Sequence, residues 1–355
     1  MVTTALMRRL GTAVPVVQAP MGGGPTTPEL VAAVTAAGGL GSVAGGYLTP
    51  DVLRDGIAAV RGLTDGPFAV NVFAPLEPDA SDEEVEAAIE VLAPYRLELG
   101  LEPRPVLGDP AARFEDHLEV LVETAPPVVS FTFGLLPPDA VRALHEAGCL
   151  LLGTATSVEE AVALERADID VVCVQGSEAG AHRGTFLTEP ALANVGLVAL
   201  VPAVVDAVDV AVVAAGGIMD GRGVAAVLAL GAQAAQLGTA FLRCPEAGTS
   251  ATHRAALTAA GPEATVLTSA LTGRAARTID NRLTRELGDR PVPAYPVMNA
   301  LTSELRRVAA AQGRDDLMSL WAGQGVARGT ELAAGALVRR LAEETDQAIG
   351  KLRAW

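Results

Sequence analysis

Eight short valine-rich apolar runs recur along the chain with alanine-rich helical stretches between them, and no other feature of the sequence constrains the fold as strongly. The runs are VPVVQAPM (14–21), GLGSVAG (39–45), PFAVNVF (67–73), PVVSFTFG (127–134), CLLLGTAT (149–156), DVVCVQG (170–176), VAVVAAGG (210–217) and AAQLGTAFL (234–242). Short runs that are apolar without alternation mark strands buried on both faces, as in a parallel sheet covered by helices. The segments between them carry helix boundaries. Thr27 caps and Pro28 opens TPELVAAVTAAGG, which closes at Gly38, and Ser157 with two first-turn acids opens SVEEAVALERAD. Eight such units predict an α/β protein, a closed (β/α)8 TIM barrel.

The rhythm is broken twice, which predicts an inserted and C-terminal, mostly helical smaller domain. We expect a ligand-binding barrel over 1–242 carrying an acidic helical insert at about 75–126, a substrate-side or lid domain over 243–330, and a C-terminal helix over 331–355 packing back on the barrel. The charge run at 82–90 reads as a solvated helix face. Half of the 355 residues are hydrophobic, ample for a large core, and 42 acids against 26 bases give a formal charge of -16. Such a charge repels phosphate backbones and anionic lipid, which argues against nucleic acid or a membrane surface as a partner. Three cysteines without CxxC spacing, Cys149 and Cys173 in apolar runs, read as buried thiols of a reducing compartment. The most apolar window contains Pro202 and ends at Asp206, and no leader-like stretch opens the chain, so the expectation is a cytoplasmic protein without membrane spans.

In a (β/α)8 barrel the chemistry gathers where the strands end. Here the ends read QAPMGGG, NVF, QGSEAGAHRG, AAGGIMDG and QLGTAF. Glycines let a backbone approach a ligand and expose N–H groups, and the loops after strands seven and eight (Gly216, Gly217; Gly238, Thr239) occupy the usual phosphate position of this fold. The GLGSVA string at 39–44 matches a dinucleotide fingerprint but follows a helix and is itself strand-like, so it is read as a turn and strand. His182, at the end of the sixth strand, is the candidate proton donor, acceptor or base. His117, His145 and His253 lie in charged helical surroundings and read as surface residues. No HxH, HExxH or CxxC spacing supports a metal, and Ser177 lacks the partners of a nucleophile.

These motifs, with LTGRAAR and WAGQG (321–325) further on, resemble the nitronate monooxygenases, formerly 2-nitropropane dioxygenases, over nearly the whole chain. The resemblance implies FMN, contacted by Met21, Gly22, Asn71, Gln175, Gly180, Gly217, Gln236, Leu237, Gly238 and Thr239, with His182 as the active-site histidine. It implies oxidative denitrification of an alkyl nitronate such as propionate 3-nitronate with O2, giving a carbonyl compound and nitrite. One departure is Ala181, where the family usually has a second glycine before the histidine. Arg183 is open between a helper in the site and a surface ion-pair partner. Related FMN barrels with a similar loop are NADH:quinone reductases and enoyl-ACP reductases; a flavin-binding protein without turnover is the reading from another class. Monomer and homodimer both remain open.

Overall fold

The computed structural model describes residues 2–76, 80–106, 113–187 and 193–353. All eight expected barrel strands form: β1 Val16–Gln18, β2 Gly41–Ala44, β3 Phe68–Phe73, β4 Val128–Thr132, β5 Leu150–Ala155, β6 Val171–Gln175, then, after the short β7 Ala181–His182, β8 Ala211–Ala215 and β9 Ala234–Leu237. They pair in parallel in the order β1-β9-β8-β6-β5-β4-β3-β2. The seam between first and last is bridged at Val17–Leu40, where Gln18 N–H donates to Leu40 O (2.9 Å) and Leu40 N–H to Val16 O (2.9 Å). The chain is therefore a (β/α)8 TIM barrel.

Two apolar layers result from the strands' two faces. Val17, Leu40, Ala69, Leu152, Val171, Cys173 and Val213 fill the barrel interior, and Leu6, from a first helix Ala5–Leu10 that the strand pattern did not reveal, closes this cluster. The opposite faces pack on the surrounding helices through residues such as Val16, Val70, Val72, Val129, Leu151, Val172 and Val174. Helix Pro28–Ala36 is capped by Thr27, whose Oγ1 accepts from Leu30 N–H, and helix Val158–Arg166 by Ser157 in the same way from Glu160 N–H. The GLGSVA segment supplies β2, and a Cβ at Gly41 would lie 2.3 Å from Val31 O, so its glycine serves close helix–strand packing. All three cysteines are buried, and burial pushes the Cys173 thiol up to about 12.

A second apolar cluster joins the two interruptions. Leu92 and Tyr95, from helix Asp82–Glu98, pack with Leu301 and Leu305, from helix Val297–Ala311, and with Leu283, Leu287 and Leu320. The acids of the 82–90 run are exposed on that helix, whose Ser81 forms a capping box with Glu84. Parts of the 75–126 segment, residues 77–79 and 107–112, lie outside the described residues. Helix Ala334–Arg353 packs on helices Pro28–Ala36 and Gly221–Ala229. Two strands absent from the sequence reading, β10 Thr265–Thr268 and β11 Ala276–Ile279, form with β7 a three-stranded antiparallel sheet in the order β10-β11-β7. No described helix is long and apolar enough to cross a membrane.

Candidate active site

At the carboxyl ends of the strands lies a cavity of ≈ 590 Å³. The structure brings to its wall every residue that the resemblance implies for the cofactor and the active site: Met21 and Gly22 after β1, Asn71 on β3, Gln175, Gly180 and His182 at the β6 end, Gly217 after β8, and Gln236, Leu237, Gly238 and Thr239 around the end of β9. Asn71 is buried and donates from Nδ2 to Ser130 Oγ (3.0 Å). Gln175 closes on its own loop, its Nε2 donating to His182 O (2.9 Å) and its Oε1 accepting from Gly184 N–H (2.9 Å). Gly217, Gly238 and Thr239 present backbone N–H groups with no hydrogen-bond partner among the described residues, and Thr239 Oγ1 accepts from Gly323 N–H (2.9 Å).

The loop after β6 is held from outside by the LTGRAAR segment. Ala181 and His182 pair with Arg277 and Ala276 of β11, and Arg183 N–H donates to Ala275 O (2.8 Å). Arg274 Nε donates to Arg183 O (2.9 Å), with a further bond from its Nη2 to Thr185 O, and Arg277 Nε donates to Ser177 O (3.0 Å). Gly180 accommodates the WAGQG segment: a Cβ there would stand 2.6 Å from Ala322 C and Gly323 N. Ala181 takes a φ of 61°, the left-handed region where a Cβ is strained, and the residue is part of the cavity wall.

His182 sits among Phe133, Tyr295 and Trp321, with ring centroids 5.9, 5.3 and 5.3 Å away. Its Nε2 is 2.8 Å from Thr272 Oγ1. Its remaining exposure is toward the cavity it lines; desolvation there, reinforced by the positive charges of Arg274 and Arg306, brings its pKa down to about 3. The imidazole is therefore neutral at physiological pH. Arg306 lines the cavity, held by neutral groups: Nε donates to Thr302 Oγ1 (3.2 Å), Nη1 to Ser319 Oγ (3.2 Å) and Nη2 to Asn299 Oδ1 (2.7 Å) and O (3.1 Å). Arg274 lies with its guanidinium 4.1 Å over the Phe133 ring, and burial lowers its pKa to about 10. Among the described residues the cavity wall contains Arg306 and Arg307 and no Asp or Glu.

Three expectations are corrected. Arg183 is neither a surface ion-pair partner nor a cavity residue. It is buried, and its guanidinium donates to the carbonyls of Gly176 (2.5 Å), Gln175 (3.0 Å) and Ala193 (2.8 Å), so it braces the loop that carries His182. His117 is buried, its Nε2 2.8 Å from Leu48 O. His253 is buried as well and belongs to the cavity wall. The two misplaced histidines share a cause: each falls on the apolar stripe of its helix, His117 three residues after Phe114 and three before Val120, and His253 four before Leu257.

The sequence reading also missed Glu160. By position it is a first-turn acid of its helix, but its carboxylate is wholly buried and accepts from Thr156 N–H (2.6 Å), Thr156 Oγ1 (2.7 Å), Phe186 N–H (2.6 Å) and Leu187 N–H (3.0 Å). Tyr295, whose hydroxyl donates to Tyr47 Oη (3.2 Å), and Arg306 were missed too, since both come from the segment beyond the barrel.

The model of the nitronate monooxygenase family matches residues 4–344. The chain belongs to the nitronate monooxygenase family. It is thus a flavin-dependent oxidoreductase. A probable nitronate monooxygenase of Staphylococcus aureus is 41% identical over 345 residues, 96% of this chain and 97% of that one. A second, from Staphylococcus saprophyticus, is 40% identical over 341 residues, 95% and 96% of the two chains. Among solved structures, a nitroalkane oxidase from Streptomyces ansochromogenes superposes with a TM-score of 0.92 at 45% identity, covering 98% of this chain and 100% of its own. FabK from Thermotoga maritima superposes at 0.78 with 29% identity, covering 100% and 99%.

Proposed function

We propose that this family member uses FMN and O2 to oxidise alkyl nitronates, with propionate 3-nitronate as the representative substrate, to a carbonyl compound and nitrite. The observation that carries the reading is electrostatic. In a chain with a formal charge of -16, the cavity wall has two arginines, no described carboxylate and two neutral histidines, with Arg274 just behind His182. Such a cavity favours an anion, and a nitronate is one.

The residues present fit a flavin mononucleotide. The glycine-lined end, with unpartnered N–H groups at Gly217, Gly238 and Thr239, suits a phosphate without a counter-cation, and the apolar walls at Met21, Leu237 and Ala215 suit a flat ring. When bound, the flavin supplies the electron acceptor for the substrate and returns the electrons to oxygen. The protein's own residues bind and orient the nitronate. Arg306 retains an N–H on Nη1 for an anionic oxygen, His182 offers a neutral imidazole edge, and Phe133, Tyr295 and Trp321 exclude water around it. The helices that join 80–106 with 243–330 form the substrate-side cap in this reading, since Arg306, Ser319 and Trp321 come from them and their connections.

Anaerobic mixing of the flavin-loaded protein with propionate 3-nitronate and, separately, with NADH tests the proposal. Bleaching of the flavin band by the nitronate and not by NADH is expected. Bleaching by NADH alone would replace this function with that of an NADH-dependent reductase.

A further inference from the structure

We propose that Thr272 fixes the tautomer of His182, holding the proton on Nε2 so that Nδ1 is the basic nitrogen presented to a neutral nitroalkane; this rests on the function proposed above. Thr272 is a positioning residue, buried behind the histidine and absent from the cavity wall, whereas His182 lines it. The ring thus turns Nε2 to the protein, 2.8 Å from Thr272 Oγ1, and Nδ1 is the nitrogen left for a ligand, without a hydrogen bond to any described residue.

The direction of the Nε2 contact follows from what Thr272 does with its single hydroxyl proton. Oγ1 also lies 3.3 Å from Arg274 O, and that bond is the only one the Arg274 carbonyl receives among the described residues. A carbonyl accepts and never donates, so the hydroxyl proton belongs to it and Oγ1 turns lone pairs toward Nε2. Nε2 must then carry the proton. The opposite arrangement would leave the Arg274 carbonyl unpaired, a penalty the assigned one avoids. Tautomer control by a hydrogen bond on the far nitrogen is how histidines are generally set for catalysis.

The step is a balanced proton transfer. The Cα–H bond of the nitroalkane breaks, its electron pair delocalises into the nitro group to give the nitronate, and the proton moves to Nδ1, making an imidazolium. The nascent anion offsets the neighbouring charges of Arg274 and Arg306, which otherwise oppose imidazolium formation. A substrate supplied already as the nitronate bypasses the step.

Two readouts decide the matter. With only four histidines in the chain, the ¹⁵N spectrum of histidine-labelled protein, assigned with His182→Gln, reports the His182 tautomer directly. The wild type and Thr272→Ser should show Nε2 protonated, and Thr272→Val a shift toward the other tautomer. In turnover, Thr272→Val should lose about tenfold or more in kcat/KM on nitroethane and less than about threefold on ethyl nitronate, with Thr272→Ser restoring both. A wild-type His182 protonated on Nδ1, or an equal loss on the two substrates, overturns the proposal, and so does turnover of the nitronate with none of nitroethane. Failure on both substrates by the wild type would refute the proposed function instead, while the wild-type spectrum, which needs no variant to fold, would still decide the tautomer.

Discussion

Replacing Glu160 by glutamine tests the claim that a buried carboxylate, remote from the cavity, holds the site's central loop. The carboxylate accepts four hydrogen bonds, two from Thr156 and two from the backbone at Phe186 and Leu187, just after the His182 segment. Its charge also favours the buried guanidinium ions of Arg183 and Arg274. An amide of the same shape can keep its oxygen toward Phe186 and Leu187, but its NH2 then faces the Thr156 N–H. The Thr156 hydroxyl can rotate to accept; the backbone N–H cannot. One unpaired buried donor costs ~1–3 kcal/mol, and weakening the other bonds from charged to neutral adds ~1 kcal/mol, so Glu160→Gln should destabilise by ~2–4 kcal/mol. Glu160→Ala removes every acceptor and should exceed this. Urea unfolding followed by far-UV circular dichroism gives the difference, and flavin absorbance per protein reports whether the loop still closes the site. A change below ~0.5 kcal/mol for Glu160→Gln would refute the hydrogen-bond accounting.

Acid sensitivity follows from the two cavity histidines, held neutral in the fold at about 3 for His182 and about 4 for His253, by desolvation first in each case, against an ordinary 6.5. The unfolded chain binds the extra protons, so their contribution is complete above pH ~6.5 and is lost as pH falls toward those values; each removes up to ~2 kcal/mol between pH 6.5 and 5. The double variant His182→Asn, His253→Gln should flatten the melting-temperature profile in that window, and parallel profiles would sink the assignment. Ala181→Gly relieves a left-handed alanine; after the entropy a glycine adds to the unfolded chain it should gain ~0.5–1 kcal/mol in denaturant titrations, and a loss would show that the alanine is unstrained. Arg183→Met removes the guanidinium from three carbonyls, of which Gly176 O keeps only the Ala179 N–H, and should lose ~3 kcal/mol or more together with flavin retention, whereas a fully loaded, equally stable variant would contradict the bracing role.

The barrel was legible because each strand is a local event: Val171, Val172 and Val174 declare β6 without reference to any other segment, and Thr27 and Ser157 announce helices within four residues. The glycine-rich strand ends were legible for the same reason, and the cavity gathers every residue taken from them. What stayed hidden is non-local. β7 has two residues, one an alanine at positive φ, and exists only because residues 276 and 277 arrive beside it from almost a hundred positions on. Glu160 looks like an ordinary first-turn acid until the backbone of 186 and 187 folds over it. Arg306 sits on a helix whose partners come from two separate stretches, so neither stretch alone identifies its inward face. The burial of His117 and His253, by contrast, was available from helical spacing and was outweighed by the charges of their neighbours.

The distribution of charge around the site explains how so acidic a chain can keep a cavity suited to anions. Two carboxylates that hold the His182 loop, Glu160 and Glu178, do not line the cavity and accept from backbone N–H groups, Glu178 from Leu197 at the start of helix Leu197–Val205, where a negative charge is also favoured by the helix dipole. They offset Arg183 and Arg277 from behind without entering the site. Arg306, held by a threonine, a serine and an asparagine, has no acidic partner among the described residues, so its field acts on whatever enters. Desolvation keeps His182 neutral, and the charges of Arg274 and Arg306 reinforce it. The histidine therefore adds polarity and proton-accepting capacity without a permanent second charge. On the function proposed above, an anion would be attracted by the arginines and a neutral nitroalkane would meet a free imidazole nitrogen, so that attraction and proton transfer fall to different side chains of one cavity.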